Sequence, residues 1–539
     1  MDGRRLARWV ILVAVFSLVV ATAVPSRAGA PADPRRGGVL RYAIIGDPEN
    51  WTPHNVLQCQ NQIVMAQIWS GLLKYNAKGE IVGDLAESWQ WQDNKTVVFR
   101  LRKGVKWHNG EPLTAEQVVQ SERHRLDPKE SVDARFLGEN IDKWEVVSAD
   151  TVKLTLKRPN VTILRWLTAV PGRAFVIHPK WDAKTAGRSA EATLGTGPFK
   201  YKSYEPGAKV QVVRNPDYFV AGMPYLDGID FPIIQDSQAR MTGLRSGQVD
   251  IYDDVDNTAA PVLRKEQGIN VVEGKGFYGA RLLFDLLRPP TNDVRVRRAL
   301  NFAINREMVV EAALSGEGLP IWGGIVPPKH FGYAKELDGY YSFDPKKAKA
   351  LLAEAGWKDT KGDGKLYNAA GQPLRITYLT YGPDWWSRVA EMVQANLTEI
   401  GATVELKVVP WAEFRPLRAK TAELPEGTPG DWNIIGATLW GLELSDFPVY
   451  VMPGGYNFNR YNNPKVRDLL REALGTIDDG KREDLLRQTQ AAWIQDAPDI
   501  TVAWINRSEI VRSRVKNFSH LNQDGCYGTL VSETYLDPK

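Results

Sequence analysis

The chain has 539 residues, which is more than one hydrophobic core normally serves, so two or three domains are expected. Hydrophobic residues make up 43% of the sequence and charged residues 24%, which is typical of a soluble globular protein. The formal net charge is only +4 and no long run of Lys and Arg occurs, so the composition gives no support to nucleic-acid binding.

The first thirty residues differ in composition from the rest. Arg4, Arg5 and Arg8 precede an apolar run from Trp9 to Val24, and small-x-small sequences suited to cleavage follow it. This pattern predicts a cleaved secretory signal peptide over residues 1–30. An uncleaved anchor is the alternative, because the run is only a little shorter than the roughly 20 residues of a membrane span. No cysteine lies in or just after this segment, so we expect a periplasmic protein without a lipid anchor.

The next patterns along the chain are a strand, a hairpin and a capped helix. The strand is predicted from Val39 to Ile45. Apolar and polar residues then alternate from Trp89 to Trp91 and from Val97 to Leu101, with a polar turn between, which predicts a hairpin with one buried face. Thr114 and Gln117 form a Thr-x-x-Gln capping box at the start of a helix.

The sequence Gly195–Phe199 (GTGPF) could be mistaken for a phosphate-binding loop. Pro198 removes one backbone donor, and the pattern that follows is a strand and not a helix, so we predict no phosphate site there. From Asp293 to Leu314 the apolar spacing predicts one long helix, with Met308 on its buried face.

The second half of the chain alternates between strand and helix patterns. Asp344 and Pro345 are the cap and first residue of a predicted helix. A strand at Leu374–Tyr381, a helix at Asp384–Glu399 and a strand at Val404–Val409 follow. This order predicts a βαβ unit within a mostly parallel sheet.

No catalytic motif is present. The sequence lacks His-Glu-x-x-His, Gly-x-Ser-x-Gly and a Walker loop, and its six histidines are scattered. The loop that begins at Asp359 resembles a calcium loop but has Lys361 at its third position and Ala370 at its twelfth. We therefore predict a binding protein with no metal and no cofactor, and keep a hydrolase as an alternative.

Five blocks of sequence carry a resemblance to a known family. In order, they resemble the extracellular solute-binding proteins that serve ABC importers of peptides, opines and nickel. The blocks are AESWQWQDNKTVVFRLRKGVKWHNGEPLTAEQVV (86–119), GTGPFKYKSYEPGAKVQVVRNPDYF (195–219), RVRRALNFAINREMVV (295–310), FDPKKAKALLAEAGW (343–357) and YNNPKVRDLL (461–470).

The resemblance implies an α/β fold of two hinged lobes, a type II-like periplasmic binding protein, with an extra α+β subdomain in the first lobe. The boundaries expected are a signal peptide at 1–30, lobe I at 31–58, the inserted subdomain at 59–194, lobe I again at 195–283, lobe II at 284–505 and a C-terminal return to lobe I at 506–539.

The resemblance also implies where a ligand binds in lobe II. In peptide-binding relatives, a Trp-x-x-acid element supplies an aromatic wall and a carboxylate for the α-ammonium of the peptide. The matching residues are Trp440 and Glu443. Relatives usually carry Asp at the second position, so Asp446 is the alternative carboxylate. A core tryptophan beside a solvated glutamate is the competing interpretation.

In lobe I the resemblance places ligand-facing residues between His54 and Gln62, and Gln58, Cys59 and Asn61 are the candidates there. Cys59 and Cys526 are the only cysteines. A disulfide is permitted in an oxidising compartment, and two reduced thiols are the alternative.

Dipeptide-binding members hold the ligand carboxylate with an Arg before the helix matched here by residues 384–399. This chain has Leu379–Pro383 (LTYGP) there, which favours a longer peptide or a neutral ligand. Tyr381, Trp385 and Trp386 become aromatic candidates, and stacking would suit an oligosaccharide or opine-like ligand equally well. The expected partner is an inner-membrane ABC permease complex served by a monomer, and a sensor without transport is an alternative.

Overall fold

A computed structural model describes most of the chain. It covers residues 35–48, 51–55, 59–170, 173–252, 259–328, 330–382, 384–425, 427–440, 457–519 and 531–537. No helix within these ranges combines the length and the apolar character needed to cross a membrane.

The described strands are β1 Val39–Ala43, β2 Leu73–Tyr75, β3 Ile81–Gly83, β4 Ala86–Trp91, β5 Thr96–Leu101, β6 Ile141–Ser148, β7 Thr151–Leu156, β8 Phe199–Glu205, β9 Lys209–Arg214, β10 Gly228–Pro232, β11 Ile251–Tyr252, β12 Ile269–Phe284, β13 Gly318–Pro320, β14 Arg375–Tyr381, β15 Thr403–Val409, β16 Ile434–Trp440, β17 Asp499–Arg512, β18 Val515–Lys516 and β19 Tyr535–Leu536.

The described α-helices are α1 Cys59–Ile68, α2 Ala115–His124, α3 Ala134–Asn140, α4 Ser237–Ser246, α5 Ala260–Leu263, α6 Val294–Phe302, α7 Arg306–Leu314, α8 Pro345–Glu354, α9 Asp384–Glu399, α10 Trp411–Glu423, α11 Pro464–Gly475 and α12 Asp479–Asp496. Short 3-10 helices lie at Pro53–Asn55, Val161–Leu167, Lys335–Leu337 and Val531–Glu533.

Two long antiparallel strands, β12 and β17, join two lobes into one sheet. The strand order is β15-β14-β16-β12-β17-β11-β1-β10-β9-β8, and β13 pairs with β17 outside this path. Strands β8 to β11 and β1 belong to lobe I, and β14 to β16 belong to lobe II. The α/β class and the two-lobed architecture expected from the sequence are therefore confirmed.

The change from one lobe to the other occurs inside β12. Its first part pairs with residues 507–512 of β17, its last part pairs with residues 499–505, and the register shifts between Gly274 and Tyr278. Ala280, Leu282 and Leu283 pack in the core of lobe II. They lie just before residue 284, the predicted start of that lobe. The strand is continuous at this point and has no turn or linker that would mark a boundary.

The inserted subdomain has its own core between Leu72 and Val176. Its sheet has the order β4-β5-β7-β6. The predicted hairpin is confirmed, since Trp89 lies opposite Phe99 in the β4–β5 ladder and Phe99 is fully buried. Helix α1, within the range expected for the subdomain, instead packs its apolar residues into the core of lobe I.

Helix starts followed local sequence closely. The capping box is confirmed, because Thr114 Oγ1 accepts a hydrogen bond from Gln117 N at 3.3 Å and Gln117 Oε1 accepts one from Thr114 N at 3.0 Å. Asp344 caps α8 by accepting from Lys347 N at 2.9 Å.

The single helix predicted from Asp293 to Leu314 is wrong. Helix α6 ends at Phe302, and Asn305 caps a new helix, α7, by accepting from Met308 N at 3.0 Å. Met308 consequently lies outside the core and is 51% exposed. Arg306 stabilises the break, since its buried guanidinium donates to the carbonyls of Asn301, Tyr341 and Thr501.

Two of the family-like blocks meet where the subdomain joins lobe I. His108 N donates to Gly195 O at 2.9 Å, and His108 Nδ1 accepts from Gly195 N at 3.2 Å. Gly197 N donates to Ile68 O at the end of α1, at 2.8 Å. The glycines of GTGPF therefore permit close approach of two backbones.

Replacing Gly195 with alanine is expected to destabilise this junction by about 2 kcal/mol or more, the upper range for overpacking a core. A Cβ atom at position 195 would lie 1.9 Å from Ile68 O, which belongs to the backbone and cannot rotate away. Urea denaturation measures the loss. Gly138→Ala, where no atom lies within 4 Å of the added Cβ and φ is not positive, is the control. Equal effects of the two substitutions would contradict the proposed clash.

Candidate functional site

The parallel strands of lobe II end at the edge that faces lobe I. Strand β12 runs from lobe I into lobe II, and β16 is antiparallel to it, with Phe284 opposite Ile434 and Tyr278 opposite Trp440. Strand β16 therefore ends at the crossing between the lobes. Because β14 is parallel to β16 and β15 is parallel to β14, all three strands end on that side.

Lobe I has the same arrangement in the opposite direction. Strand β17 runs into lobe I, and β11 is antiparallel to it, so β11 ends toward lobe II. Strand β1 is parallel to β11, and β10 is parallel to β1. In open α/β sheets, ligands bind outside the carboxyl ends of the strands. The two sets of carboxyl ends therefore define a candidate binding cleft between the lobes.

A group of aromatic rings lies at the carboxyl ends of β14 and β15. We call Tyr381, Trp385, Trp386, Trp411 and Phe414 the aromatic wall. The Tyr381 ring centroid lies 4.7 Å from that of Trp411 and 4.7 Å from that of Phe414. Trp385 stacks on Trp386 with centroids 4.7 Å apart and an interplanar angle of 24°. The fold thus brings together three residues that the sequence selected.

The members of the aromatic wall differ in what they can offer a ligand. Trp386 is fully buried in the core of lobe II, so it supports the wall from beneath, and Tyr381 is also buried. Trp385 is only partly buried. Trp411 is 46% exposed and so presents the largest open ring surface of the wall.

Sequence reasoning missed Trp411. It lies two residues beyond the end of β15, as Tyr381 lies at the end of β14. The predicted strand at Val404–Val409 could have identified it, because the carboxyl ends of parallel strands meet at one edge of the sheet, where ligands bind. Residues that directly follow that strand are therefore site candidates.

A cation lies against the aromatic wall. The guanidinium carbon of Arg418 is 5.5 Å from the ring centroids of both Trp411 and Phe414, and 4.4 Å from that of Phe458. Such cation–π contacts fix a guanidinium beside the rings. The wall therefore combines a flat apolar surface with a positive charge.

The other candidate residues are only partly within the described structure. Trp440 ends β16 opposite Tyr278, at the crossing of the lobes, and its side chain lies outside the description. Glu443, Asp446 and Gln58 lie outside the described residues, as does Cys526 of the candidate disulfide. Cys59 begins α1, with its side chain likewise not described. Asn61 is 1% exposed and packs within lobe I.

A small cavity of about 50 Å³ lies apart from this cleft, between lobe I and its subdomain. Trp69, Lys74, Asp84 and Tyr218 are among its lining residues. Its size suits a few water molecules. Within the described ranges, no group of three or more His, Cys, Asp or Glu side chains is arranged to hold a metal ion.

Two lobes joined by paired crossing strands, with carboxyl ends facing a shared cleft, define a two-lobed solute-binding protein. The chain belongs to the bacterial extracellular solute-binding proteins of family 5, whose middle-region model matches residues 80–462. Members of this family are substrate-binding proteins of ABC importers for peptides, nickel and opines, and this chain is one of them.

The similarity extends over nearly the whole chain. The dipeptide-binding protein of Escherichia coli (strain K12) is 28% identical over 509 residues, covering 89% of this chain and 91% of the relative. The structure of AgaA from A. tumefaciens R10, in complex with agropinic acid, is 27% identical with a TM-score of 0.76, covering 93% of this chain and 99% of AgaA. The oligopeptide-binding protein AppA of Bacillus subtilis, in complex with a nonapeptide, shares the fold at 24% identity and a TM-score of 0.74, covering 94% and 100%.

Proposed function

We propose that this protein captures a peptide longer than a dipeptide in the cleft between its lobes and delivers it to an inner-membrane ABC permease. It is exported to the periplasm by a cleaved signal peptide and acts there as a monomer without a lipid anchor. Hinge closure around the crossing of β12 and β17 encloses the ligand, where the exclusion of water strengthens polar contacts.

The observation that carries this proposal is the aromatic wall at the carboxyl ends of β14 and β15. Strand β14, which carries Tyr381 at its end, is the sheet neighbour of β16, which ends at Trp440. An extended peptide can lay its side chains on such a surface while its backbone pairs with strand edges, which gives affinity with little sequence preference. The E. coli and B. subtilis relatives, by their names, bind peptides.

The ends of the peptide are assigned from the sequence. Glu443, with Asp446 as the alternative, anchors the α-ammonium beside Trp440. The stretch Leu379–Pro383 contains no Arg to fix the carboxylate of a dipeptide. A longer peptide does not need an Arg at one fixed distance from the ammonium site, because its carboxylate can lie at different positions. Residues 58 and 59 of lobe I close on the other side of the ligand, whereas Asn61 is buried within that lobe.

An opine-like or sugar-containing ligand is the second candidate. Trp411 offers an open ring for stacking, which suits a flat or cyclic ligand. AgaA, at 27% identity, binds agropinic acid. An oligosaccharide would use the same stacking surface.

Replacing Trp411 with alanine is expected to weaken ligand binding about 30-fold, since truncating an aromatic anchor that the ligand covers costs about 2 kcal/mol. Trp411→Phe retains a ring and should lose much less. Isothermal titration calorimetry with alanine peptides of two to eight residues and with agropinic acid measures both effects. Binding that begins at three residues or more supports the peptide proposal. Binding of agropinic acid alone would replace it with the opine assignment.

A further inference from the structure

The two lobes are also joined by an ion pair beside their crossing. Arg264 follows directly after α5, and its guanidinium forms a bidentate ion pair with the carboxylate of Glu317. Arg264 Nη1 donates to Glu317 Oε1 at 2.5 Å, and Arg264 Nη2 donates to Glu317 Oε2 at 2.8 Å. This paired geometry is directional as well as strong.

The two partners belong to different lobes. Leu263, next to Arg264, packs with Leu244 and Ile510 in lobe I. Glu317 lies between α7 and β13, and Leu314 and Ile321 on either side of it pack in the core of lobe II. The ion pair therefore spans the region where β12 and β17 pass from one lobe to the other.

The pair is sheltered from water on one side. Glu317 is 5% exposed, and the Arg264 side chain is 34% exposed. A carboxylate so deeply buried depends on its partner, because leaving it unpaired carries the full cost of desolvation. Arg264 Nη2 also donates to Glu273 Oε1 at 2.5 Å. Glu273 lies in the part of β12 that pairs with β17 inside lobe I, so this second contact stays within one lobe.

We propose that Arg264 and Glu317 form an interlobe latch that stabilises the angle between the lobes described here. A rotation about the crossing strands moves Arg264 with lobe I and Glu317 with lobe II, and a two-point ion pair tolerates little displacement. Leaving this angle therefore requires that the latch open. The inference rests on the proposed function for its consequence, because lobe motion is what admits and releases the ligand.

The latch is tested on the protein without ligand, by measuring the distance between one spin label on each lobe. Labels carried by unnatural residues at Glu205 and Lys346, both exposed, leave the two native cysteines untouched. Glu317→Gln and Arg264→Gln should each shift or broaden the distance distribution. The double variant should show no more than either single one. Glu273→Gln is the matched control and should keep the wild-type distribution.

Unchanged distributions in Glu317→Gln and in Arg264→Gln would overturn the latch, as would an equal shift in Glu273→Gln. Failure to bind peptides would refute the proposed function and leave this ligand-free result standing.

Discussion

Replacing Asp499 with asparagine is expected to lower the free energy of unfolding by about 3–5 kcal/mol, the cost of breaking a buried ion pair from one side. Asp499 begins β17 and pairs with Arg281 on β12, and the two residues are 2% and 1% exposed. The same Arg281 guanidinium lies 5.8 Å from the Trp493 ring centroid. Removing the carboxylate charge leaves a buried cation in the core of lobe II.

Urea denaturation at neutral pH measures this loss. Asp293→Asn is a suitable control, because Asp293 pairs with Arg295 at the surface and asparagine can cap α6 as aspartate does. That substitution should cost less than about 1 kcal/mol, as exposed pairs do. If Asp499→Asn also costs less than about 1 kcal/mol, then the buried Arg281 guanidinium does not need the Asp499 carboxylate to compensate its charge.

Lowering the pH from 7 to about 4 is expected to destabilise the protein by up to about 3 kcal/mol through His108 alone. His108 Nε2 donates to Gly197 O at 3.1 Å while Nδ1 accepts from Gly195 N, which fixes a neutral ring. Withdrawal from water lowers the pKa of His108 from 6.5 to about 4, although the hydrogen bond to Gly197 opposes this. Between about pH 6.5 and pH 4, His108 is protonated in the unfolded chain and neutral in the folded chain. The free energy of unfolding therefore falls as the pH drops through this interval.

His54 acts in the same direction. It is 1% exposed, and burial lowers the pKa of His54 well below its usual range. Its Nε2 donates to Phe175 O at 2.7 Å, so its Nδ1 is left to accept from His124 Nδ1 at 3.2 Å. A second proton on the His54 ring would have to sit on Nδ1 and would break this hydrogen bond between the two rings.

The pH dependence is checked by urea denaturation at pH 7 and pH 4.5. His108→Gln keeps a donor and an acceptor but cannot titrate, so its stability should fall less than that of the wild type across the same interval. An equal fall in both proteins would show that His108 does not carry the effect.

Local sequence patterns predicted the local structure well. The hairpin around Phe99, the capping box at Thr114 and the start of α8 at Asp344 each depend on residues within a few positions of one another. The βαβ unit of β14, α9 and β15 was predicted for the same reason. Resemblance to a family supplied the two-lobed arrangement, which no local pattern contains.

The misses arose where distant parts of the chain decide the outcome. The break at Asn305 depends on Arg306 reaching carbonyls on other elements, including Thr501. In the site, neighbouring residues of a helix point in different directions, so Trp386 is fully buried while Trp385 is only partly buried, and the sequence does not say which of the two is exposed.

The most direct test of ligand capture in the cleft is native mass spectrometry of the protein expressed in the periplasm, with identification of whatever co-purifies. We expect a mixture of short peptides of three residues or more, and we expect Glu443→Ala to release them. Glu391→Ala, an exposed charge on α9, should leave them bound. A single sugar-containing or opine-like mass, retained by Glu443→Ala and lost in Trp411→Ala, would contradict the peptide assignment.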